Sequence, residues 1–252
     1  MAEETDWAVR LENISQKFMV PRLKVRTLKQ RVLMGWRVRQ TYDEFWALRD
    51  LNMTVAQGEL LGIVGPNGSG KSTLLRVIAG IYRPTKGQVE TRGRVYPLLE
   101  LGTGFHEDLS GHDNIYLNAS LYGLGRKQVR GKFDEIVGFA EVEDFIYAPL
   151  RTFSSGMVAR LAFSIAIQVE ADILLLDEVL AVGDEHFIQK CLAKMREIWA
   201  SGKTIVLVSH SLSHVVNMCP RAVWLDRGQV VMEGQSKQVV DAYVKAATAP
   251  QA

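Results

Sequence analysis

The chain has 252 residues, 47% of them hydrophobic and 23% charged. These are ordinary globular proportions, and they exclude a disordered tail, a collagen-like fibre and a long coiled coil. Thirty basic and 28 acidic residues leave a net charge of +2, which argues against a polyanion-binding surface unless the charges are unevenly placed. Cys191 and Cys219 stand at neither a metal-ligand nor a disulfide-framework spacing, as suits a reducing compartment. Met1 to Asp6 is acidic with no apolar run behind it, unlike a signal peptide. No stretch approaches the length of apolar residues that a membrane span needs.

In chain order, residues 9–14 alternate as a strand. Residues 17–41 break that pattern with a basic run containing Pro21 and Gly35. Residues 46–56 read as a second strand, and Gln57-Gly58-Glu59 as a turn. Leu60 to Val64 is a short apolar run of the buried-strand type. It stops at Gly65-Pro66-Asn67-Gly68-Ser69-Gly70, after which Lys71 to Gly80 reads as a helix. Gly87 to Tyr96 reads as hairpin material, and residues 111–150 carry helical spacing with Gly and Pro breaks. An apolar helix is expected over Val158 to Val169, a buried strand over 172–176, a helix over His186 to Ala200 and a buried strand over Thr204 to Val208. Val223–Leu225 and Val230–Met232 flank Asp226-Arg227-Gly228-Gln229 as a hairpin, and 236–246 closes as a helix. Strands alternating with helices predict an α/β fold with a mainly parallel sheet, an antiparallel β portion and a helical subdomain inserted over about 97–165.

Gly65-Pro66-Asn67-Gly68-Ser69-Gly70-Lys71-Ser72 matches the G-x-x-x-x-G-K-[ST] phosphate loop, in the required context of a strand before and a helix after. Glycines let backbone N–H groups turn inward around a β-phosphate, and the helix start aims its positive dipole end at the same point. Lys71 is placed to reach the β- and γ-phosphates, and Ser72 to offer a hydroxyl to Mg²⁺. This core is shared by several P-loop NTPase classes and does not by itself define a function. Ile173 to Glu178 is a buried strand ending in two acids. Asp177 suits the Mg²⁺ shell, and Glu178 is free to polarise an attacking water. Leu207-Val208-Ser209-His210 is a second apolar strand with a histidine at its carboxyl end, where open α/β sheets bind ligands, so His210 is expected at the γ-phosphate. Ser154 is a good N-cap for the apolar helix behind it, and such a helix start binds anions.

With these residues in view, the chain resembles the ABC-transporter ATPase family over about residues 7–246. The family signature L-S-G-G-Q aligns with Phe153, Ser154, Ser155, Gly156 and Met157, the D-loop with Ala181-Val182-Gly183-Asp184, and the switch histidine with His210. The resemblance implies one nucleotide-binding domain over 1–252, with ATP and Mg²⁺ as cofactors. ATP would be held by Gly65 through Ser72 and by Thr73, stacked on an aromatic for which Phe18 aligns best, with Tyr42, Phe45 and Trp46 as competitors. It implies a shared active site, in which Ser154, Ser155, Gly156 and Met157 of one copy close over the ATP of another. Catalysis would rest on Glu178, His210 and Lys71.

Three features depart from the generic pattern. Ser155 and Met157 replace Gly and Gln of the signature. Glu100 stands nearest to where the family has a glutamine contacting Mg²⁺ and water, and becomes a third metal-site residue beside Ser72 and Asp177. Residues 19–46 form a long insertion. Together with Leu98 to Phe105, Asp177 to Asp184 and Phe45 to Asp50, these look like the polysaccharide exporters, which move O-antigen, teichoic acid or capsule. The chain is similar to their short form, without the C-terminal glycan-binding domain. The implied partners are an integral membrane permease and a second copy of the chain, at the cytoplasmic face of the inner membrane as a peripheral subunit. A lipid or drug cargo, or a soluble ATPase of translation or DNA repair, are the alternatives. The latter carry paired ATPase domains or long coiled coils, which this sequence lacks, so nucleic acid is not an expected partner.

The charge is in fact uneven. Eight basic and no acidic residues lie in 17–42, leaving 22 basic against 28 acidic residues and a net charge of −6 elsewhere. Interleaved apolar residues and Trp36 fit a membrane surface, arginines fit the pyrophosphate of a lipid-linked glycan near 19–46, and a solvated or partner-docked basic loop fits as well.

Overall fold

The computed structural model describes residues 6–21, 42–99, 101–179 and 183–248. The elements, in chain order, are β1 (Trp7–Pro21), β2 (Tyr42–Ala56), β3 (Leu60–Val64), α1 (Lys71–Ile78), β4 (Lys86–Thr91), β5 (Val95–Leu98), α2 (Gly111–Leu121), α3 (Arg126–Ala140), α4 (Ser155–Ala166), β6 (Ile173–Asp177), α5 (Glu185–Ala200), β7 (Thr204–Val208), α6 (Leu212–Met218), β8 (Arg221–Asp226), β9 (Gln229–Gln235) and α7 (Ser236–Thr248). Single 3₁₀ turns at Glu143–Phe145 and Leu150–Thr152 link α3 to α4.

Two sheets result. One is antiparallel with order β2-β1-β4, and the other has order β5-β6-β7-β3-β8-β9. Within the larger sheet every pairing is parallel except β8 with β9. β3 and β7 are buried at every residue. Their alternate side chains enter two different cores, as the strand period of two requires. Leu60, Val64, Ile205 and Leu207 join Phe163, Phe187 and Val215 on one face, while Leu61, Ile63, Val206 and Val208 join Leu74 and Leu75 of α1 on the other. α1 is thereby held between the parallel sheet and the antiparallel one. A third core, with Ile115, Ile136, Leu161 and Ile165, binds α2, α3 and α4 into a helical layer.

Gly62 explains how closely α6 approaches the sheet. A β-carbon there would lie 2.6 Å from Val215 Cγ1 and 3.2 Å from Cys219 Sγ. Cys219 and Cys191 are both buried and unbridged, and burial pushes each thiol up to about 12. They act as small core hydrophobes.

Two expectations change. β1 does not end near residue 14 but runs to Pro21, and β2 starts at Tyr42, so the hairpin continues into the start of the basic run. Lys17 bridges the two strands there: its Nζ donates to Glu44 at 2.7 Å and stands 5.6 Å from the Trp46 ring centre, with Lys86 at 5.8 Å from the same ring. The rest of that run, 22–41, lies outside the described residues. Residues 87–96 also do not form a hairpin: β4 pairs with β1 and β5 with β6. The transfer occurs at Arg92–Arg94, where Arg92 N donates to Ala8 O and Asp172 Oδ2 accepts from Arg94 N at 2.9 Å. Gly93, at φ +108, sits too close to Asp172 for any side chain. No helix among the described residues is long and apolar enough to cross a membrane.

Candidate nucleotide site

The order β6-β7-β3 brings three carboxyl-terminal strand ends side by side. They carry Asp177-Glu178, Ser209-His210 and the Gly65–Gly70 loop, the place where a doubly wound sheet binds its ligand. Gly65, Gly68 and Gly70 all have positive φ, at +150, +77 and +106. A β-carbon at Gly65 would lie 2.0 Å from Leu225 O, and one at Gly70 2.6 Å from Ala47 O, so the loop is braced from behind. At Gly68 nothing lies within 4 Å, which leaves that backbone open to a ligand. The β8–β9 turn completes the brace: Gly228 N donates to Ser69 O, and Arg49 N to Gly228 O, both at 2.9 Å.

α1 starts with no capping side chain and no acid in its first turn, so its N–H groups and dipole face the loop. Lys71 is 5% exposed, and its Nζ donates to Gly65 O at 2.8 Å and Pro66 O at 3.0 Å. Burial is the main cause of a lowered Lys71 pKa, partly offset by the Glu178 and Asp177 carboxylates. An anionic ligand would act in the same direction as those carboxylates and keep the ammonium charged. A cavity of about 210 Å³ is lined by Phe45, Asn67, Gly68, Lys71, Thr73 and Glu178, with Ala47, Gly70 and Ser72 completing its wall.

Glu178 follows the last residue of β6 at φ +60, a left-handed conformation uncommon for a side chain of this kind. Its N–H donates to Val208 O at 2.9 Å, which ties it to β7. Its Oε1 lies 2.5 Å from His210 Nε2. Glu178 is on the cavity wall and Asp177 is not, because the turn in the backbone sends the two acids in different directions. Asp177 Oδ1 and Ser69 Oγ are buried with no hydrogen-bond partner in the protein. Such orphaned oxygens are costly unless a ligand supplies the missing bonds. Among the described residues no group of three His, Cys, Asp or Glu side chains could hold a metal. The Ser72 hydroxyl and the orphaned Asp177 carboxylate are oxygens of the kind Mg²⁺ takes, one or two from the protein with phosphates and water providing the rest, so these residues would fit a Mg²⁺–nucleotide. Glu100 lies outside the described residues.

Ser154 is the N-cap of α4 and accepts from Met157 N at 3.2 Å. Ser154, Ser155, Gly156 and Met157 line a separate cavity of about 510 Å³ with Ala159, Arg160, Gly183 and Asp184. It shares no lining residue with the loop cavity. The structure thus brings the phosphate loop, Glu178 and His210 together, and sets the signature residues and Asp184 together elsewhere. Ala181 and Val182 are outside the described residues. Phe18 is not on the wall of the loop cavity: its ring meets Tyr82 edge-on at 5.5 Å. Phe45, its cross-strand partner, is on that wall and 52% exposed. Sequence reasoning missed the brace from Leu225 and Gly228 and the place of Arg160. The Arg227-Gly228 pair was legible as a turn, but nothing in the sequence pointed that turn at Ser69.

The sequence profile of the ABC transporter family matches residues 48–181. The O-antigen export system ATP-binding protein RfbB of Myxococcus xanthus is 49% identical over 216 residues, covering 86% of this chain and 49% of that protein. A protein of the same name from Klebsiella pneumoniae is 47% identical over 203 residues, covering 81% of this chain and 82% of its own length. The teichoic acids export ATP-binding protein TagH of Bacillus anthracis is 39% identical over 241 residues, covering 94% of this chain and 42% of that protein. The chain therefore spans about half the length of the Myxococcus relative and most of the Klebsiella one. A solved ATP-binding subunit of an ABC transporter superposes with a TM-score of 0.73 at 21% identity, over 96% of this chain and 100% of that chain. A dimeric ATP-binding cassette in a post-hydrolysis state with ADP and Pi superposes with a TM-score of 0.71 at 22% identity, over 90% and 98% of the two chains. These two speak to the fold, and it is the P-loop α/β arrangement expected from the sequence. With the profile matching more than half of its length and a relative nearly half identical across most of both chains, this chain belongs to the ABC transporter family.

Proposed function

We propose that this chain is the ATP-hydrolysing subunit of an exporter that moves a lipid-linked polysaccharide or related glycolipid across the cytoplasmic membrane. Residues 1–252 then act as one nucleotide-binding domain on the cytoplasmic face, as a peripheral subunit of a membrane-embedded permease. The observation that carries the reading is the pair of separate cavities. The loop cavity with Lys71, Ser72 and Thr73 shares no lining residue with the cavity of Ser154, Ser155, Gly156 and Met157, so in this reading those four residues reach the bound ATP from a second copy. Two chains therefore close around two nucleotides, and hydrolysis lets them part. The cargo follows from the relatives, whose names specify O-antigen and teichoic acid export.

In this reading the backbone N–H groups of the loop and of the first turn of α1 take the β-phosphate, and Lys71 turns from the loop carbonyls to the γ-phosphate. Ser72 and Asp177 would hold Mg²⁺, which would supply charge neutralisation at the phosphates. Glu178 accepts the proton of the attacking water, and His210 fixes the direction of its carboxylate. We assign the adenine contact to Phe45, with Phe18 and Tyr82 behind it. Phe45→Ala is expected to cost about 1–3 kcal/mol of nucleotide affinity, the usual worth of a base stacked on an aromatic ring. Phe18→Ala should cost less, in a direct titration with a fluorescent nucleotide. A larger loss for Phe18→Ala would return the role to Phe18.

The assembly and cargo are tested by co-purification with the permease, followed by ATPase assay in proteoliposomes. A pyrophosphate-lipid-linked glycan is expected to stimulate turnover several-fold. Robust ATPase activity with no response to that glycan, but a response to another lipid or a drug, would overturn the cargo.

A further inference from the structure

α3, α4 and α5 come from separate stretches of the chain and meet at one aromatic cluster. Phe139 of α3, Phe163 of α4 and Phe187 of α5 have ring centroids between 5.6 and 6.2 Å apart. Phe163 and Phe187 are fully buried. Beside this cluster stands Glu141, which ends α3 at φ +58, again a left-handed conformation. Its carboxylate accepts from Arg160 of α4 at 3.1 Å and from Lys190 Nζ of α5 at 2.7 Å. Lys190 also donates to Phe139 O at 3.0 Å. The Lys190 hydrogen bond, more than any other contact, holds the Glu141 carboxyl below its ordinary range.

Arg160 connects this network to the signature cavity, whose wall it forms with Gly183 and Asp184. Its stem underlies Gly183, where a β-carbon would lie 3.4 Å from Arg160 Cγ and 3.3 Å from Phe187 Cβ. Its head is 5.9 Å from the Phe187 ring centre and is bound by Glu141. The two walls of the cavity belong to different elements, the start of α4 and the turn before α5. Packing of the three rings brings those walls together. The charge-assisted hydrogen bonds from Arg160 and Lys190 to Glu141 add directional ties between them.

We propose that Glu141 is a positioning residue that, through Arg160, holds the start of α4 and the Gly183–Asp184 turn as one surface for the nucleotide of a second copy. The proposal rests on the two-copy reading above.

The test uses the full chain carrying Glu178→Gln, in which ATP-driven dimerisation is measured by sedimentation. Binding of a fluorescent ATP analogue to dilute monomer is measured alongside. Glu141→Gln is expected to weaken dimerisation about tenfold while leaving monomer affinity within about twofold. Arg160→Gln should give a similar loss of dimerisation, and the double variant no more than either alone, because the two residues act as one unit. If the Glu178→Gln parent fails to dimerise with ATP, the two-copy reading falls and this proposal with it. If the parent dimerises and Glu141→Gln does so equally well, or if the two losses simply add, this proposal alone is overturned. A parallel fall in monomer affinity would make the Glu141 contacts merely structural and would overturn it too.

Discussion

Glu178→Gln is expected to cut ATP turnover by orders of magnitude while leaving ATP binding intact, and the variant should elute as a dimer when ATP is present. Three features of the site lead to this result. Glu178 stands on the wall of the loop cavity that also holds Lys71 and Ser72. Its position is over-determined, by a left-handed backbone, by the bond from its N–H to Val208 O and by the 2.5 Å contact with His210 Nε2. Glutamine keeps the shape and can still meet His210, but it cannot accept the proton of an attacking water. Removal of a positioned general base lowers turnover by about 10²–10⁴-fold. The same change removes a negative charge from the wall of the loop cavity, so affinity for an anionic nucleotide is expected to hold or rise. In the proposed two-copy cycle, ATP that binds and is not consumed would keep the copies closed. Steady-state phosphate release and size-exclusion chromatography with and without ATP check both parts. Hydrolysis at the wild-type rate would mean that Glu178 is not the base.

Lys71→Ala is expected to lose nucleotide affinity by about 3 kcal/mol, roughly a factor of 150. Lys71 is nearly buried and is placed between two loop carbonyls and the Glu178–Asp177 pair. In the protein alone its charge is disfavoured by burial, and a triphosphate relieves that cost. Alanine therefore removes a cation whose full benefit is realised only with the ligand bound. Gly65 O and Pro66 O lose a donor, but the brace from Leu225, Ala47 and Gly228 does not involve the lysine and keeps the loop in shape. Circular dichroism should match that of the parent while isothermal titration with Mg²⁺–ATP shows the loss. Lys71→Arg should not restore binding, because its planar fork replaces a compact ammonium in a cavity of about 210 Å³. Unaltered ATP binding by Lys71→Ala would count against the assignment of the loop.

How much of this was legible in advance depends on the range of the interactions. Leu60 to Ser72 announced strand, loop and helix because a buried strand, a glycine turn and a helix start are all local choices of backbone conformation. Ile173 to Glu178 and Thr204 to His210 were legible for the same reason, and their polar ends marked the edge of the sheet where the loop lies. The split of residues 87–96 between two sheets was not legible. It depends on Asp172, distant in sequence, receiving Arg94 N, and on Gly93 passing beside it. The continuation of β1 to Pro21 was hidden by its basic residues, since the contacts of Lys17 with Glu44 and Trp46 exist only after the strands pair.

By itself the sequence determined the local pieces: a phosphate-loop motif, a carboxylate pair, a histidine at a strand end and a capped helix, each written in a few neighbouring residues. It also determined the uneven charge, a basic stretch on an acidic body behind a net +2. Only the tertiary structure decided which of those pieces meet. Strand order places Glu178 and His210 beside the loop and leaves Ser154 and Gly156 in another cavity, and the register of a hairpin puts Phe45 rather than Phe18 on the cavity wall. The reason is physical. Local motifs follow from backbone preference and the pattern of apolar residues, whereas the meeting of distant side chains follows from strand pairing and packing, which no single stretch of sequence contains.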